Sequence, residues 1–188
     1  MRFAVFTFAL IVPAAAVAAV PASLPLKAAP TSIDKLFSQL AQASSSEEAK
    51  PIEDKIEAQF LQSQSPTVDL LMTRAAASEQ AQDMKTARTL LNSIVTIAPD
   101  YAEGWRRLGN LQAAQNDDAG AMLSLQRAVQ LNPRHFAAMS ELADMLEDYG
   151  DKKAALMFYR KALALDPQMD GAARHLRALE KEIEGVPT

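Results

Sequence analysis

The chain has 188 residues, a formal net charge of −4, six glycines and no cysteine, and hydrophobic residues make up 49% of it. These values are ordinary for one globular domain or a short array, and they exclude wholesale disorder, a collagen-like fibre and a polytopic membrane protein. The absence of cysteine excludes disulfide scaffolds, thiolate zinc sites, cysteine nucleophiles and lipid attachment through cysteine. The acidic balance argues against a nucleic-acid partner, which requires a basic surface.

The first 22 residues have the pattern of a secretory signal peptide. Arg2 supplies a positive start, an apolar run follows as far as Pro13, and small residues precede the expected cleavage between positions 18 and 22. We expect residues 1–22 to be removed on export. The alternative is an uncleaved anchor, because about 20 uncharged residues can span a bilayer. Residues 23–31 contain prolines and no apolar periodicity, which predicts an extended linker.

Two amphipathic helices are expected within residues 32–63. Their apolar residues recur at helical spacing: Ile33, Leu36, Phe37 and Leu40 in the first, and Ile52, Ile56 and Phe60 in the second. A serine of the run 44–46 could cap the second helix together with a glutamate three residues on. Pro51 favours a later start, near Lys50, because proline is tolerated only in the first turn of a helix.

Beyond Pro66 the sequence repeats with a period of 34 residues. Five columns share this register: Asp83, Asp117 and Asp151; Ala87, Ala121 and Ala155; Leu91, Leu125 and Tyr159; Ile97, Leu131 and Leu165; and Pro99, Pro133 and Pro167. The aspartates suit the N-cap of a second helix in each unit, the alanines permit close helix contact, and the prolines lie just past a helix end. Asp100 with Glu103 is expected to cap the helix that follows Pro99.

This pattern resembles the tetratricopeptide repeat (TPR). The unit 102–135 matches it best, through Trp105, Leu108, Gly109, Ala121, Leu125, Ala128 and Pro133. The resemblance covers residues 66–184, as repeats 68–101, 102–135 and 136–169 followed by a capping helix, 170–184. It implies an all-α fold, a right-handed α-solenoid of stacked antiparallel helix pairs.

The resemblance also carries expectations about location and function. The stretches 65–72, 99–105 and 133–136 are similar to small exported TPR proteins of alphaproteobacteria, a group without an assigned activity, which implies the periplasm. TPR proteins bind peptides or partner helices along the first helices of successive pairs, so the implied function is a protein–protein interaction scaffold or adaptor of the cell envelope. Carried onto this sequence, the candidate partner-binding residues are Met72, Glu79, Glu103, Arg106, Asn110, Ser140, Asp144 and Arg174.

The alternative function is structural, as a self-assembling or membrane-anchored helical repeat protein. If residues 32–63 pack onto 68–80 and cover that end of the stack, a monomeric binder is favoured. If they leave it open, self-association gains support. We expect a soluble monomer.

Arg106 and Asn110 lie one turn apart and resemble the TPR subclass that clamps a partner's C-terminal carboxylate. Most of that clamp is missing, because Glu141, Gly171 and His175 stand where the subclass has an asparagine and basic residues. We expect the exchange Arg106→Glu to weaken partner capture without changing the melting temperature.

No catalytic residue, metal site or cofactor is expected. The two histidines lack a second histidine or a carboxylate at ligand spacing. The carboxylate pairs lie on helices beside lysines and arginines, where they usually form solvated faces or caps. The chain is therefore predicted not to be an enzyme.

Overall fold

The structure, a computed structural model, describes residues 31–185, and every regular element in that range is an α-helix. The helices are α1 (Ser32–Leu40), α2 (Ser46–Phe60), α3 (Pro66–Gln80), α4 (Met84–Ile97), α5 (Ala102–Ala114), α6 (Asp118–Leu131), α7 (Phe136–Asp148), α8 (Lys152–Leu165) and α9 (Asp170–Glu184). The predicted all-α fold is confirmed. The predicted signal peptide and all of the predicted linker except Thr31 lie outside the described residues. Between residues 31 and 185, no helix is both long enough and apolar enough to cross a membrane.

The repeated aspartates cap the second helix of each repeat, as predicted. The side chains of Asp83, Asp117 and Asp151 accept hydrogen bonds from the backbone N–H groups of Thr86, Gly120 and Ala154. Each bond satisfies a backbone donor that has no partner within the helix. The caps therefore fix the start of α4, α6 and α8 at equivalent positions.

The predicted start of α2 near Lys50 is wrong, because the helix begins at Ser46. Ser45 is the N-cap residue, and its Oγ accepts the backbone N–H three residues on, at 3.3 Å. Pro51 lies in the second turn, where it removes one backbone hydrogen bond. Ala49, two residues before the proline, is fully buried. The cap and this burial compensate for the lost bond.

The predicted cap of α5 is also absent. Its N-cap residue is Tyr101, and no side chain caps the helix. Glu103 has the spacing of a capping-box residue from Asp100, but it is buried and binds Arg106 and Arg107 instead. Ion pairs within α5 have thus replaced the predicted cap.

The three repeats stack as helix pairs, α3 with α4, α5 with α6 and α7 with α8, and α9 packs against α8. The repeated alanines Ala87, Ala121 and Ala155 are fully buried between helices. Close approach is strictest at Gly109, where an added Cβ would lie 2.9 Å from a side-chain atom of Leu125. Small residues at these positions allow α5 and its equivalents to pack closely on their partners. The result is a helical-repeat solenoid.

The N-terminal helical pair, α1 and α2, lies across the inter-repeat turns. These turns are residues 98–101, 132–135 and 166–169, which connect each repeat to the next helix. Three contacts mark the path of α2: Ser46 Oγ to Asp170 Oδ2 (3.3 Å), the ring of Phe60 to that of His135 (4.7 Å between centroids), and the Leu61 carbonyl to the Tyr101 hydroxyl (2.8 Å). Thus α2 crosses the three turns in the reverse of their chain order.

Aromatic and ionic contacts hold α1 in place. The ring of Phe37 packs edge-on against that of Phe136, with centroids 6.3 Å apart, and the guanidinium of Arg134 lies 3.9 Å above the Phe37 ring. Arg134 Nη1 also donates to Asp34 Oδ1 at 2.5 Å. Hydrogen bonds from the Thr31 hydroxyl and from Arg134 lower the pKa of Asp34 to about 2. Residues one hundred positions apart in the chain are therefore tied together.

This placement leaves the outer face of α3 uncovered. Leu70 is 53% exposed, whereas Gly104, Ala138 and Ala172, at the same position of the following helices, are buried. The apolar cluster that contains α3 includes no residue of α1 or α2 in the described part of the chain. The N-terminal pair therefore does not cap the start of the array.

Candidate binding groove

The first helices of successive repeats, α3, α5 and α7, and the capping helix α9 form a row, and we call the face they share the groove. Arg107 Nη1 of α5 lies 4.0 Å from Glu79 Oε2 of α3, and His175 Nδ1 of α9 lies 2.8 Å from Glu147 Oε2 of α7. All of the sequence-predicted binding residues belong to these four helices, but their exposure differs. Asn110, Asp144 and Arg174 are exposed, Glu79, Arg106 and Ser140 are half-buried, and Met72 and Glu103 are buried.

The Glu103 carboxylate is 3% exposed and is fully engaged within the chain. It accepts two hydrogen bonds from Arg106 (both 2.8 Å) and one from Arg107 Nε (3.0 Å), and it lies 3.0 Å from His135 Nε2. Burial alone would raise the pKa of this carboxyl, but the bonds from His135 and Arg106 hold it well below its usual range. Glu103 therefore ties α5 to the turn 132–135, which corrects its assignment as a partner contact.

Arg106 and Asn110 converge on one carboxylate, and that carboxylate belongs to the chain itself. Arg106 Nη1 lies 2.6 Å from Glu141 Oε1, and Asn110 Nδ2 lies 3.0 Å from the same atom. Glu141 of α7 thus takes the place that a partner's terminal carboxylate would take in an open clamp. The exchange Arg106→Glu would set a third carboxylate against Glu103 and Glu141, so we now expect it to destabilise the fold.

Glu103 and Glu141 share Arg106, but their pKa values are shifted in opposite directions. Burial raises the pKa of Glu141, although Arg106 and Asn110 act in the other direction. Its Oε2 is buried and has no hydrogen-bond donor among residues 31–185. Arg106 gives two hydrogen bonds to Glu103 and one to Glu141. The centre of the groove therefore holds the ionised carboxylate of Glu103 beside the carboxyl of Glu141, which binds a proton more readily.

Two cavities open in the first half of the groove, on either side of Arg107. Their volumes, about 360 and 480 Å³, fall within the range of small-ligand pockets. The smaller is lined by Glu79, Met84, Arg106, Arg107, Asn110, Leu111 and Ala114. The larger is lined by Leu61, Asp69, Met72, Thr73, Ala76, Ala77, Gln80 and Arg107. Both have room for side chains of a bound segment, next to a guanidinium that is 31% exposed.

The second half of the groove is acidic, and side-chain hydrogen bonds join its helices. The Tyr159 hydroxyl lies 2.5 Å from Asp144 Oδ1 and 3.0 Å from Glu147 Oε2. Burial and the hydrogen bond to Asp144 raise the pKa of Tyr159 far above its usual range, so the phenol remains a donor. The ring of His175 stacks on Tyr159 at 5.5 Å. Asp148 adds an exposed carboxylate at the end of α7.

Both histidines are engaged in the fold. His135 is the N-cap residue of α7, and its Nδ1 accepts the backbone N–H of Ala138, so Nε2 is the donor to Glu103. His175 pairs with Glu147. Between residues 31 and 185, no group of three or more histidine, aspartate and glutamate side chains has an arrangement that could hold a metal ion.

Comparison of the sequence and of the fold with known proteins finds TPR proteins in each case. The tetratricopeptide repeat family model matches residues 137–169. A TPR repeat-containing protein of Rhizobium etli is 28% identical over 156 residues, which cover 83% of this chain and 76% of that protein. The Sgt2 TPR domain from Aspergillus fumigatus aligns with a TM-score of 0.58 at 21% identity, covering 66% of this chain and 87% of that domain.

The type III secretion chaperone SycD of Yersinia enterocolitica also aligns, with a TM-score of 0.58 at 15% identity. It covers 63% of this chain and 96% of its own, and it was solved with a peptide of the translocator YopD. The family match, the curated relative and the shared fold all support placing this chain with TPR proteins. The residues matched by the family model, 137–169, fall within the predicted repeat 136–169.

Two residues of the TPR groove were missed by the sequence analysis. Arg107 lines both cavities, and a possible signal was its i+4 spacing from Glu103, which lets the two side chains meet on α5. Leu61 borders the larger cavity from the end of α2. It lies outside the repeats, so no TPR position could have identified it.

Proposed function

We propose that the TPR array acts as an interaction scaffold, and not as an enzyme, by binding a segment of another protein in its groove. The observation that carries this proposal is the pair of cavities beside Arg107, next to the exposed amide of Asn110. The SycD complex supports it, because a protein of the same fold binds a peptide. Arrays of this kind present extended surfaces that suit such segments.

The groove is electrostatically divided, and this suggests the character of the segment. Its first half combines the apolar lining of the larger cavity with the partly exposed Arg107, whereas its second half exposes Asp144 and Asp148. A segment with apolar side chains at one end and basic groups towards the other matches this distribution, because Arg107 is already paired with Glu103 and Glu79. Complementary charge of this kind fixes the register of a partner more than its affinity.

Site-specific photo-crosslinking tests the groove. A photoreactive residue at Asn110 or at Asp144, in cells that produce the full chain, should trap the same protein. The matched control is Leu123, which is 68% exposed on α6 and outside the groove. The exchange Ala76→Phe should fill the larger cavity and abolish the crosslink, whereas Ala164→Phe on the exposed side of α8 should not. Equal crosslinking from Leu123, or none from either groove position, would contradict the proposal.

We propose that this scaffold works in the periplasm, as an adaptor of the cell envelope, after cleavage of residues 1–22. The apolar run after Arg2 and the small residues that follow it support export. N-terminal sequencing of the protein from an osmotic-shock fraction should give a start between residues 19 and 23. A chain that retains Arg2 and remains with the membrane would favour the anchored alternative.

A second candidate function is end-to-end self-assembly, and the uncovered face of α3 favours it. Leu70 is exposed there, a cavity of about 430 Å³ lies between α3 and α4, and Arg74 forms no ion pair with any residue in the described range. Light scattering on residues 23–188 at micromolar concentration separates the two candidates. A monomer supports the groove-binding scaffold. A stable dimer that Leu70→Glu dissociates would support self-assembly.

A further inference from the structure

A pair of carboxyl groups lies where α2 meets the last inter-repeat turn. Asp166 is the C-cap residue of α8 and is fully buried. Its Oδ1 accepts the backbone N–H of Gln168 at 3.1 Å, but its Oδ2 has no donor in the described part of the chain. The side chain of Glu53 on α2, 17% exposed, lies beside this carboxyl. Two carboxylates in such a contact repel each other unless a proton lies between them.

The surrounding charges only partly compensate the pair. The charged groups near it are Lys50, Asp54 and Glu57 on α2 and Asp170 at the start of α9. Lys50 is the only cation of this group, and it is 63% exposed with its Nζ 2.9 Å from Asp54 and 3.7 Å from Glu53. Asp166 also stands at the carboxyl end of α8, where the helix dipole disfavours an anion.

We propose that Glu53 and Asp166 form a proton-dependent latch, in which one shared proton fixes α2 on the last inter-repeat turn and its loss loosens the N-terminal helical pair. Asp166 is the acceptor, since the Gln168 N–H already stabilises its negative charge. Glu53 carries the proton and donates it towards the otherwise unpaired Oδ2 of Asp166. The latch therefore bonds α2 to the array only in its protonated form.

The direction of the pH dependence follows from linkage. Burial and the neighbouring Asp166 raise the pKa of Glu53, and burial raises that of Asp166. The docked pair thus keeps a proton that free carboxyls, with a pKa of about 4, have lost. Docking is strongest below about pH 4, and the docking constant falls by up to about tenfold per pH unit until the raised pKa is passed. Above that pH both carboxyls are ionised, and we expect no further decrease of the docking constant.

Other contacts determine which part of α2 responds. Gln168 Nε2 donates to the Ala43 carbonyl at 2.8 Å, and Ser46 Oγ bonds Asp170, so both flank the latch. The aromatic contacts of Phe37 and Phe60 contain no carboxyl, and their one titratable partner, the His135 ring against Phe60, is the same in the parent and in the latch variants. The latch involves none of the groove residues, so it does not depend on the proposed ligand.

Hydrogen exchange of the full chain between pH 4 and pH 8 tests the latch, because exchange detects rare opening. Protection factors, corrected for intrinsic exchange, should fall with rising pH for the amides of α1 and α2, by up to about tenfold per pH unit. Those of α5 and α6 should not. In Glu53→Gln the amide replaces the shared proton as the donor, so the pH dependence should largely disappear. The exchange Asp166→Asn should have the same effect.

The matched control is Glu47→Gln, an exposed carboxylate in the first turn of α2, which should behave as the parent. The proposal is overturned if the parent shows no pH dependence in α1 and α2, or if both Glu53→Gln and Asp166→Asn retain it. It is also overturned if α5 and α6 lose protection in parallel, because the response would then be global.

Discussion

The repeats and the N-terminal helical pair use the same amphipathic helices, but they are held in different ways. In the repeats, contacts recur: Ala87, Ala121 and Ala155 are each fully buried at the equivalent place. In the N-terminal pair the contacts occur once, as in the edge-on packing of Phe37 against Phe136. A contact that recurs in every repeat fixes each helix relative to the next helix in the sequence. A contact that occurs once does not follow the repeat, so it can hold a helix at any place on the surface.

The start of the array differs from its interior. Each interior first helix is covered by the preceding repeat, but α3 has no repeat before it and α1 and α2 lie elsewhere. Leu70 is consequently exposed where later repeats bury glycine or alanine. The first helix of a repeat array thus exposes a face that the interior repeats bury against their neighbours.

The largest expected effect concerns the buried charges inside the array. In Arg106→Glu, Glu103 loses its bidentate partner and three carboxylates meet, so we expect a loss of about 3–5 kcal/mol in the free energy of unfolding. Urea denaturation measures this loss. The control Arg177→Glu, on the exposed side of α9, should change the free energy little. Equal stability of the two variants would show that the Arg106 network does not hold the repeats together.

The next effect separates the two regions directly. Phe37 is 6% exposed, and Phe37→Ala removes the ring between Arg134 and Phe136. We expect opening of α1 and α2 to become easier by about 3 kcal/mol, with α5 and α6 unaffected. Hydrogen exchange resolved by helix checks this. By contrast Leu142→Ala, at a fully buried repeat position, should lower protection throughout the array. A loss across all helices in Phe37→Ala would show that both regions unfold as one unit.

The sequence predicts the array well because each repeated residue acts locally. An aspartate before a helix caps it whatever lies further along the chain, and this is why Asp83, Asp117 and Asp151 have their predicted roles. Glu103 fails as a predicted cap and as a groove residue because Arg106 and Arg107 of its own helix and His135 of the next turn bind it. Sequence spacing gives no information about a partner in another repeat, such as His135.

The position of α1 and α2 was unpredictable for the same reason. Their apolar stripes indicate that each helix must bury one face, but they do not identify the surface that covers it. The pairing of Asp34 with Arg134 joins residues that no repeat register relates. The groove was predicted as a row of helices, while its open cavities depend on side chains such as Arg107 that the repeat pattern does not single out.

A smaller effect compares two caps that occupy one repeat position. Asp151→Ala removes only the bond to the Ala154 N–H and should cost about 1 kcal/mol. Asp117→Ala should cost clearly more, because Asp117 also pairs with Arg88 of the preceding repeat and contacts Gln112. Thermal unfolding of both variants measures the difference. Equal losses would mean that the ion pair between repeats adds nothing to the cap.

The smallest effect is expected at the uncovered end. Leu70 is 53% exposed, so Leu70→Ala should change the free energy of unfolding by less than about 0.5 kcal/mol at any protein concentration. An interface between two copies at this face would alter that result, because burial of Leu70 would make the loss larger as the concentration rises. Denaturation at two concentrations a hundredfold apart therefore decides whether the end of the array is a free surface or an interface.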